Sequence, residues 1–215
     1  MNKGFVISLI VVLSLLSFLA CTKKQNMTEQ ELILINSGTA ETPFRVLLTT
    51  SETDSMFLRQ KSIDVENVGD IATDRDLQHF IKRLKRTMGV ANGVGIAAPQ
   101  VGIGRNIFAF MRIDKPEMPV EVAINPKIVA HSSNQYCFEG DGCLSVPEES
   151  GNTLRYEWID VEYYNEQGEL VKERLNGGTR ETDFTGVIFQ HENDHLNGVL
   201  FVDRIVDESP SEAEK

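Results

Sequence analysis

His191-Glu192-Asn193-Asp194-His195 constrains this chain more than any other stretch. On a helix, residues i and i+4 share a face, so both imidazoles can reach one ion. Glu192, one residue on from His191, then lies close enough to act on a water held there. Val187, Ile188, Phe189 and Leu196 surround the pattern with apolar side chains and imply a buried helix. Histidines and a carboxylate in such a setting need partners, because an unpaired buried charge is strongly unfavourable. The competing reading of the same five residues is a chance pattern on a solvated helix.

A catalytic site of the zinc type uses three protein ligands and leaves a position for water. Downstream of His195, Asn197-Gly198-Val199-Leu200-Phe201 offers no third ligand. Upstream, Glu139-Gly140-Asp141-Gly142-Cys143-Leu144-Ser145 places a cysteine in a glycine-rich turn, where a thiolate could complete a Cys-His-His set. Taken alone, Cys143 reads more readily as a small buried residue or a disulfide partner of Cys137. A third segment, Gly93-Val94-Gly95-Ile96-Ala97-Ala98-Pro99-Gln100, combines glycines that permit close backbone approach with an amide donor at Gln100. Its spacing loosely matches a dinucleotide loop, but the glycines follow a helix and not a strand.

The spacing predicts a helix over residues 74–88. Leu77, Phe80, Ile81, Leu84 and Met88 form one stripe, and Lys82, Arg83, Lys85 and Arg86 form a solvated opposite face. Strands are expected at residues 105–113, 120–129, 154–164 and 169–175, the last two joined by a turn at Asn165-Glu166-Gln167-Gly168. Thr182 or Asp183 caps a second helix that runs to about Leu196 and ends at Asn197-Gly198. Helix, strands, then helix indicate an α+β domain.

Composition matters at two points. With 32 acidic against 21 basic residues, the net charge is −11, and no nucleic-acid partner is expected. The N-terminus departs from the average: Lys3 precedes an uncharged run from Phe5 to Ala20, followed by Cys21. The run is short for a relaxed spanning helix, which needs about 20 apolar residues, and reads as an export leader. Ser17-Phe18-Leu19-Ala20-Cys21 resembles a bacterial lipoprotein signal in which Cys21 carries the lipid. Phe18 departs from the usual aliphatic residue, and an uncleaved anchor is the plainer alternative. The expected organisation is a leader at 1–21, a tether at 22–43, one folded unit at 44–207 and a disordered tail at 208–215. The chain is expected at a membrane facing the periplasm or exterior, or in the cytoplasm if the leader is not an export signal.

Taken together, the three segments resemble the peptide deformylases. The matching stretches, in order, are Gly93 to Gln100, Gly142-Cys143-Leu144-Ser145, and Gln190-His191-Glu192-Asn193-Asp194-His195. The resemblance implies a deformylase-like α+β fold, with mixed or antiparallel strands around a central HExxH metal-binding helix. It implies that Cys143, His191 and His195 bind one divalent ion per chain, Fe2+ by preference, with Zn2+ or Ni2+ as substitutes. It implies that Glu192 moves protons, that the Leu144 N–H and the Gln100 amide stabilise an oxyanion, and that Val94 and Gly95 line an N-formyl peptide substrate. A monomer is expected. Two departures stand out. Asp141 occupies a position where relatives carry Glu, paired with an arginine at the spacing of Arg155. Glu148-Glu149-Ser150 stands where relatives carry a substrate-binding arginine. These departures keep open a formyl-peptide-binding relative without catalysis. A zinc endopeptidase is disfavoured, because the third ligand lies upstream.

Overall fold

The computed structural model describes residues 26–206 of the 215-residue chain. The expected leader at 1–21 and tail at 208–215 lie outside the described residues. Among the described residues, no helix is long and apolar enough to cross a membrane.

The segment expected as a tether is folded from Asn26 onward. Thr28 opens α1 (Glu29–Ile35) with a reciprocal cap: its hydroxyl accepts from Glu31 N, and the Glu31 carboxylate accepts from Thr28 N. That Thr-x-x-Glu pattern is a helix-start signal that the polar surroundings obscured. Glu31 also pairs with Arg105 at 2.8 Å in a largely buried contact. A second short helix, α2 (Glu52–Leu58), is capped by Ser51. The expected stripe is the buried face of α3 (Arg75–Val90), capped by Asp74. Arg83 is a correction to the solvated face expected there. It is only 2% exposed, and its guanidinium donates to the Leu34, Ile35 and Thr42 carbonyls. This arginine caps the C-terminal end of α1, where helix carbonyls lack partners.

Seven strands follow: β1 (Gly95–Ala97), β2 (Ile107–Met111), β3 (Val120–His131), β4 (Gln135–Cys143), β5 (Val146–Tyr156), β6 (Trp158–Tyr164) and β7 (Leu170–Asn176). Five form a sheet in the order β1-β2-β3-β6-β7, and β4 pairs with β5 separately. Every pairing between these strands is antiparallel. Residues 154–164, expected as one strand, divide at Glu157 between the two sheets. The turn into β7 forms as expected. Asn165 Oδ1 accepts from the Gln167 and Glu169 amides, and Gly168 takes φ +79°.

Side chains on β2 alternate between two cores, as period-2 geometry requires. Ile107 and Ala109 face the cluster built on α3, while Phe108 and Phe110 face the cluster under α4 (Thr185–Leu196). Phe189 anchors α4, meeting Phe108 and Phe110 edge-on at centroid distances of 4.8 and 5.5 Å. Asp183 Oδ1 accepts from Thr185 N at the start of α4. At its end Gly198 has φ +71°, and a Cβ there would lie 2.7 Å from the Arg59 carbonyl carbon. Glycine is required at that position by both conformation and space.

Candidate active site

His191, Glu192 and His195 lie on α4, and Cys143 is the last residue of β4. The thiol and one nitrogen of each imidazole lie within 4.8 Å of one another. Two of these candidate ligands therefore come from the helix and the third from a strand. Bonds of about 2.3 Å to sulfur and about 2.0 Å to nitrogen, at a tetrahedral angle, separate the two atoms by roughly 3.5 Å. Cys143 Sγ and His195 Nε2 are 3.2 Å apart, which suits a shared ion. The alternative reading of Cys143 as a disulfide partner of Cys137 fails. Both sit on β4, six residues apart, a span of roughly 20 Å in extended chain.

Asp141 fixes the orientation of His191. Its Oδ1 lies 3.0 Å from His191 Nδ1, which leaves the other ring nitrogen for the cluster. Its Oδ2 accepts from Arg155 Nη2 at 2.7 Å and from the Thr153 hydroxyl at 2.8 Å. The shorter acid therefore reaches both partners, which weakens the motive for a binding-only protein. Arg155 donates in addition to Asp194, on α4, at 2.7 Å, and Arg204 pairs with the same carboxylate at 2.6 Å. Breaking one member of such a buried pair typically costs about 3–5 kcal/mol, so the network also locks α4 to β5. Burial pushes the Asp141 carboxyl up, but His191 and Arg155 outweigh it and hold the group well below the usual range.

The same opposition sets the other groups. Burial pushes the Cys143 thiol up, while the two imidazoles pull it down more strongly, to about 5. Burial pushes His191 down, and its contacts with Asp141 and Cys143 raise it well above its ordinary value. Glu192 is raised to about 7, because burial outweighs the pull of the imidazoles. Its Oε2 has no hydrogen-bond partner, nor does His195 Nδ1. Orphaned buried polar atoms beside a thiolate and two imidazoles are a donor set that fits a divalent ion. After chelation, Cys143 should alkylate with a pH midpoint near 5, against about 8.5 for an ordinary thiol. Rates measured from pH 4 to 9 would check this, and a midpoint above about 8 would contradict it.

The glycine-rich segment forms β1 and a following 3-10 turn, Ala98–Val101, closed by Gly102 at φ +81°. Gln100 Oε1 accepts from Ala97 N at 2.8 Å. Its Nε2 is thereby aimed at Ser145 Oγ, at 3.2 Å, and at Cys143 Sγ, at 3.5 Å. Val94, Gly95, Gln100, Cys143, Leu144, His191 and Glu192 all line one cleft of about 370 Å³. His195 lies just behind it, 1% exposed. Gly95 packs directly on Glu192: a Cβ there would lie 2.7 Å from Glu192 Cδ.

The cleft also holds residues that the sequence reading missed. Phe138, Phe184, Val187 and Ile188 line it, as does Arg180 from the segment between β7 and α4. Val187 and Ile188 precede His191 by four and three positions, so helical spacing alone places them on the histidine face. Phe138 and Arg180 carry no such signal, because only the tertiary fold brings them here.

A family model described as polypeptide deformylase matches residues 47–211. "Peptide deformylase 2" of Nostoc sp. is 44% identical over 155 residues, covering 69% of this chain and 80% of that protein. The Synechocystis sp. peptide deformylase is 38% identical over 149 residues, 69% and 73% of the two chains. The crystal structure of Thermotoga maritima peptide deformylase superposes with a TM-score of 0.65 at 34% identity, covering 77% of this chain and 99% of that one. A Met-Ala-Ser-bound structure of a class I type b peptide deformylase from Acinetobacter baumannii gives the same TM-score at 33% identity and the same coverage. With the Cys143, His191 and His195 cluster beside Glu192, these matches establish that the chain belongs to the peptide deformylase family, metal-dependent hydrolases that remove the formyl group from peptide N-termini.

Proposed function

We propose that Cys143, His191 and His195 hold one divalent ion, Fe2+ by preference with Zn2+ or Ni2+ as substitutes, and that Glu192 moves the protons of deformylation. The observation that carries this reading is the convergence of the three ligand atoms within 4.8 Å beside a buried carboxylate oxygen without a partner. A divalent ion bound there supplies Lewis acidity and lowers the pKa of a coordinated water. Glu192 accepts a proton from the attacking water as the new C–O bond forms at the formyl carbon. It returns that proton to the departing amine as the C–N bond breaks, giving formate and a free amine. The Leu144 N–H and Gln100 Nε2 donate to the formyl oxygen as negative charge builds on it. Losing one such donor typically raises a barrier by about 3–4 kcal/mol.

Positioning follows from the fold. β1 is the edge of its sheet, so the Val94 and Gly95 backbone can pair with a peptide as an added strand. Phe138, Phe184, Val187 and Ile188 offer apolar surface for the methionine side chain. All of these chemical groups come from one chain, so a monomer suffices. Gly95→Ala would drive a methyl group into Glu192. Since a misplacement of about 1 Å can cost about 10²-fold, kcat/KM should fall by about that factor with bound metal unchanged. Activity within threefold of wild type would contradict the close packing. The reading as a whole is tested by metal-loaded protein and a formyl-Met peptide. Equal amounts of formate and new primary amine support it. Cleavage of an internal bond in an unformylated peptide would favour an endopeptidase instead.

The same proposal places the protein at a membrane through Cys21, acting on exported or released formyl peptides. Its support is the leader-like run from Phe5 to Ala20 immediately ahead of Cys21. Mass spectrometry of the N-terminus decides the point. A diacylglyceryl group on Cys21 supports it, and an intact Met1 contradicts it.

A further inference from the structure

Arg180 is the one Lys or Arg lining the cleft among the described residues. Its guanidinium is held in place by neutral partners. Nε donates to the Glu139 carbonyl at 3.4 Å, Nη2 donates to the Gly140 carbonyl, and the group lies 5.1 Å from the Phe138 ring centroid. Neighbouring Glu181 hydrogen-bonds Thr179 and feels the Arg180 charge only weakly through space, without a direct ion pair. Elsewhere the excess of acids finds the arginines: Arg45, Arg59, Arg105, Arg112, Arg155 and Arg174 each pair with a carboxylate. Arg180, like the buried Arg83, makes no such ion pair among the described residues, but of the two only Arg180 lines the cleft. A cation held by neutral carbonyls, with no direct ion pair, at the wall of a largely apolar cleft is arranged for an anionic ligand.

The chemistry of the substrate says which anion. A formylated N-terminus carries no positive charge, so the ionic handle of a short formyl peptide is a carboxylate beyond the methionine. We propose that Arg180 is a specificity residue that recognises a carboxylate downstream of formyl-Met, supplied by the chain terminus or by an acidic side chain. The proposal rests on the deformylase reading and adds a preferred substrate class, short anionic formyl peptides.

The test compares kcat/KM for formyl-Met-Ala as free acid and as amide, in metal-loaded wild type, Arg180→Gln and Arg180→Lys. Formyl-Met-Asp-amide against formyl-Met-Asn-amide separates a side-chain source from a terminal one. Wild type should favour the anionic member of at least one pair by about fivefold at low salt, and less at high salt. Arg180→Gln keeps donors for the two carbonyls but not the charge, so its ratio should fall to about one. Arg180→Lys should keep most of the preference. A purely structural role would lower both members of a pair together and leave the ratio unmoved. Formate released equally from both members by wild type, or a ratio unchanged in Arg180→Gln, overturns the proposal and leaves the deformylase reading standing. No formate from any substrate overturns that reading and the proposal with it.

Discussion

Glu192→Gln should lower kcat by roughly 10²- to 10⁴-fold while the protein keeps its metal. The amide matches the carboxylate in size, so the contact with Gly95 is undisturbed. It cannot accept a proton from water or return one to the amine. Glu192 also stands apart from the ligand cluster, so ion content should remain at one per chain. A stability signature should accompany the loss. Burial raises the Glu192 pKa from 4.5 to about 7 in the folded protein, so its ionisation opposes folding as pH climbs through that window. In chelated protein above pH 7, Glu192→Gln should therefore melt no lower than wild type. Retained turnover with full metal would remove Glu192 from the mechanism. Loss of metal together with turnover would make it a ligand.

Cys143→Ala should abolish turnover by a different route. It removes the only sulfur from the ligand cluster and leaves two imidazoles on one helix face. Even losing a group that merely orients a ligand typically weakens metal binding 10- to 100-fold, so loss of a ligand should exceed about 10²-fold. The fold should survive, because Asp141, Arg155 and Asp194 still tie α4 to β5. Metal content after desalting, with circular dichroism as the control for folding, reads the effect. A variant that retains stoichiometric metal and turnover would exclude Cys143 from the site.

Much of the site was legible because its chemistry is local in sequence. His191, Glu192 and His195 share one helix, and helical spacing alone puts them on one face. Gln100 and Gly95 lie in one short segment, and Cys143 stood out among glycines. What escaped was what depends on long-range packing. The glycines at 140, 142 and 151 and the acids around them hide the β4–β5 hairpin, since both types are poor strand formers. α1 hides in a segment whose mostly polar composition suggests a tether, although Thr28 and Glu31 mark its start. Arg83 looked solvated because its neighbours on α3 are basic. Its burial follows from α1 carbonyls that no periodicity argument on α3 could supply. Arg180 and Phe138 enter the cleft only through the tertiary fold.

On the proposal above, one ion held by Cys143, His191 and His195 makes this chain a deformylase. The most direct measurement titrates chelated protein with Fe2+ under anaerobic conditions and follows formate release from a formyl-Met peptide. Turnover should rise linearly with bound iron and level off at one ion per chain. Formate release without metal, or none at full occupancy, would rule out this metal-dependent mechanism.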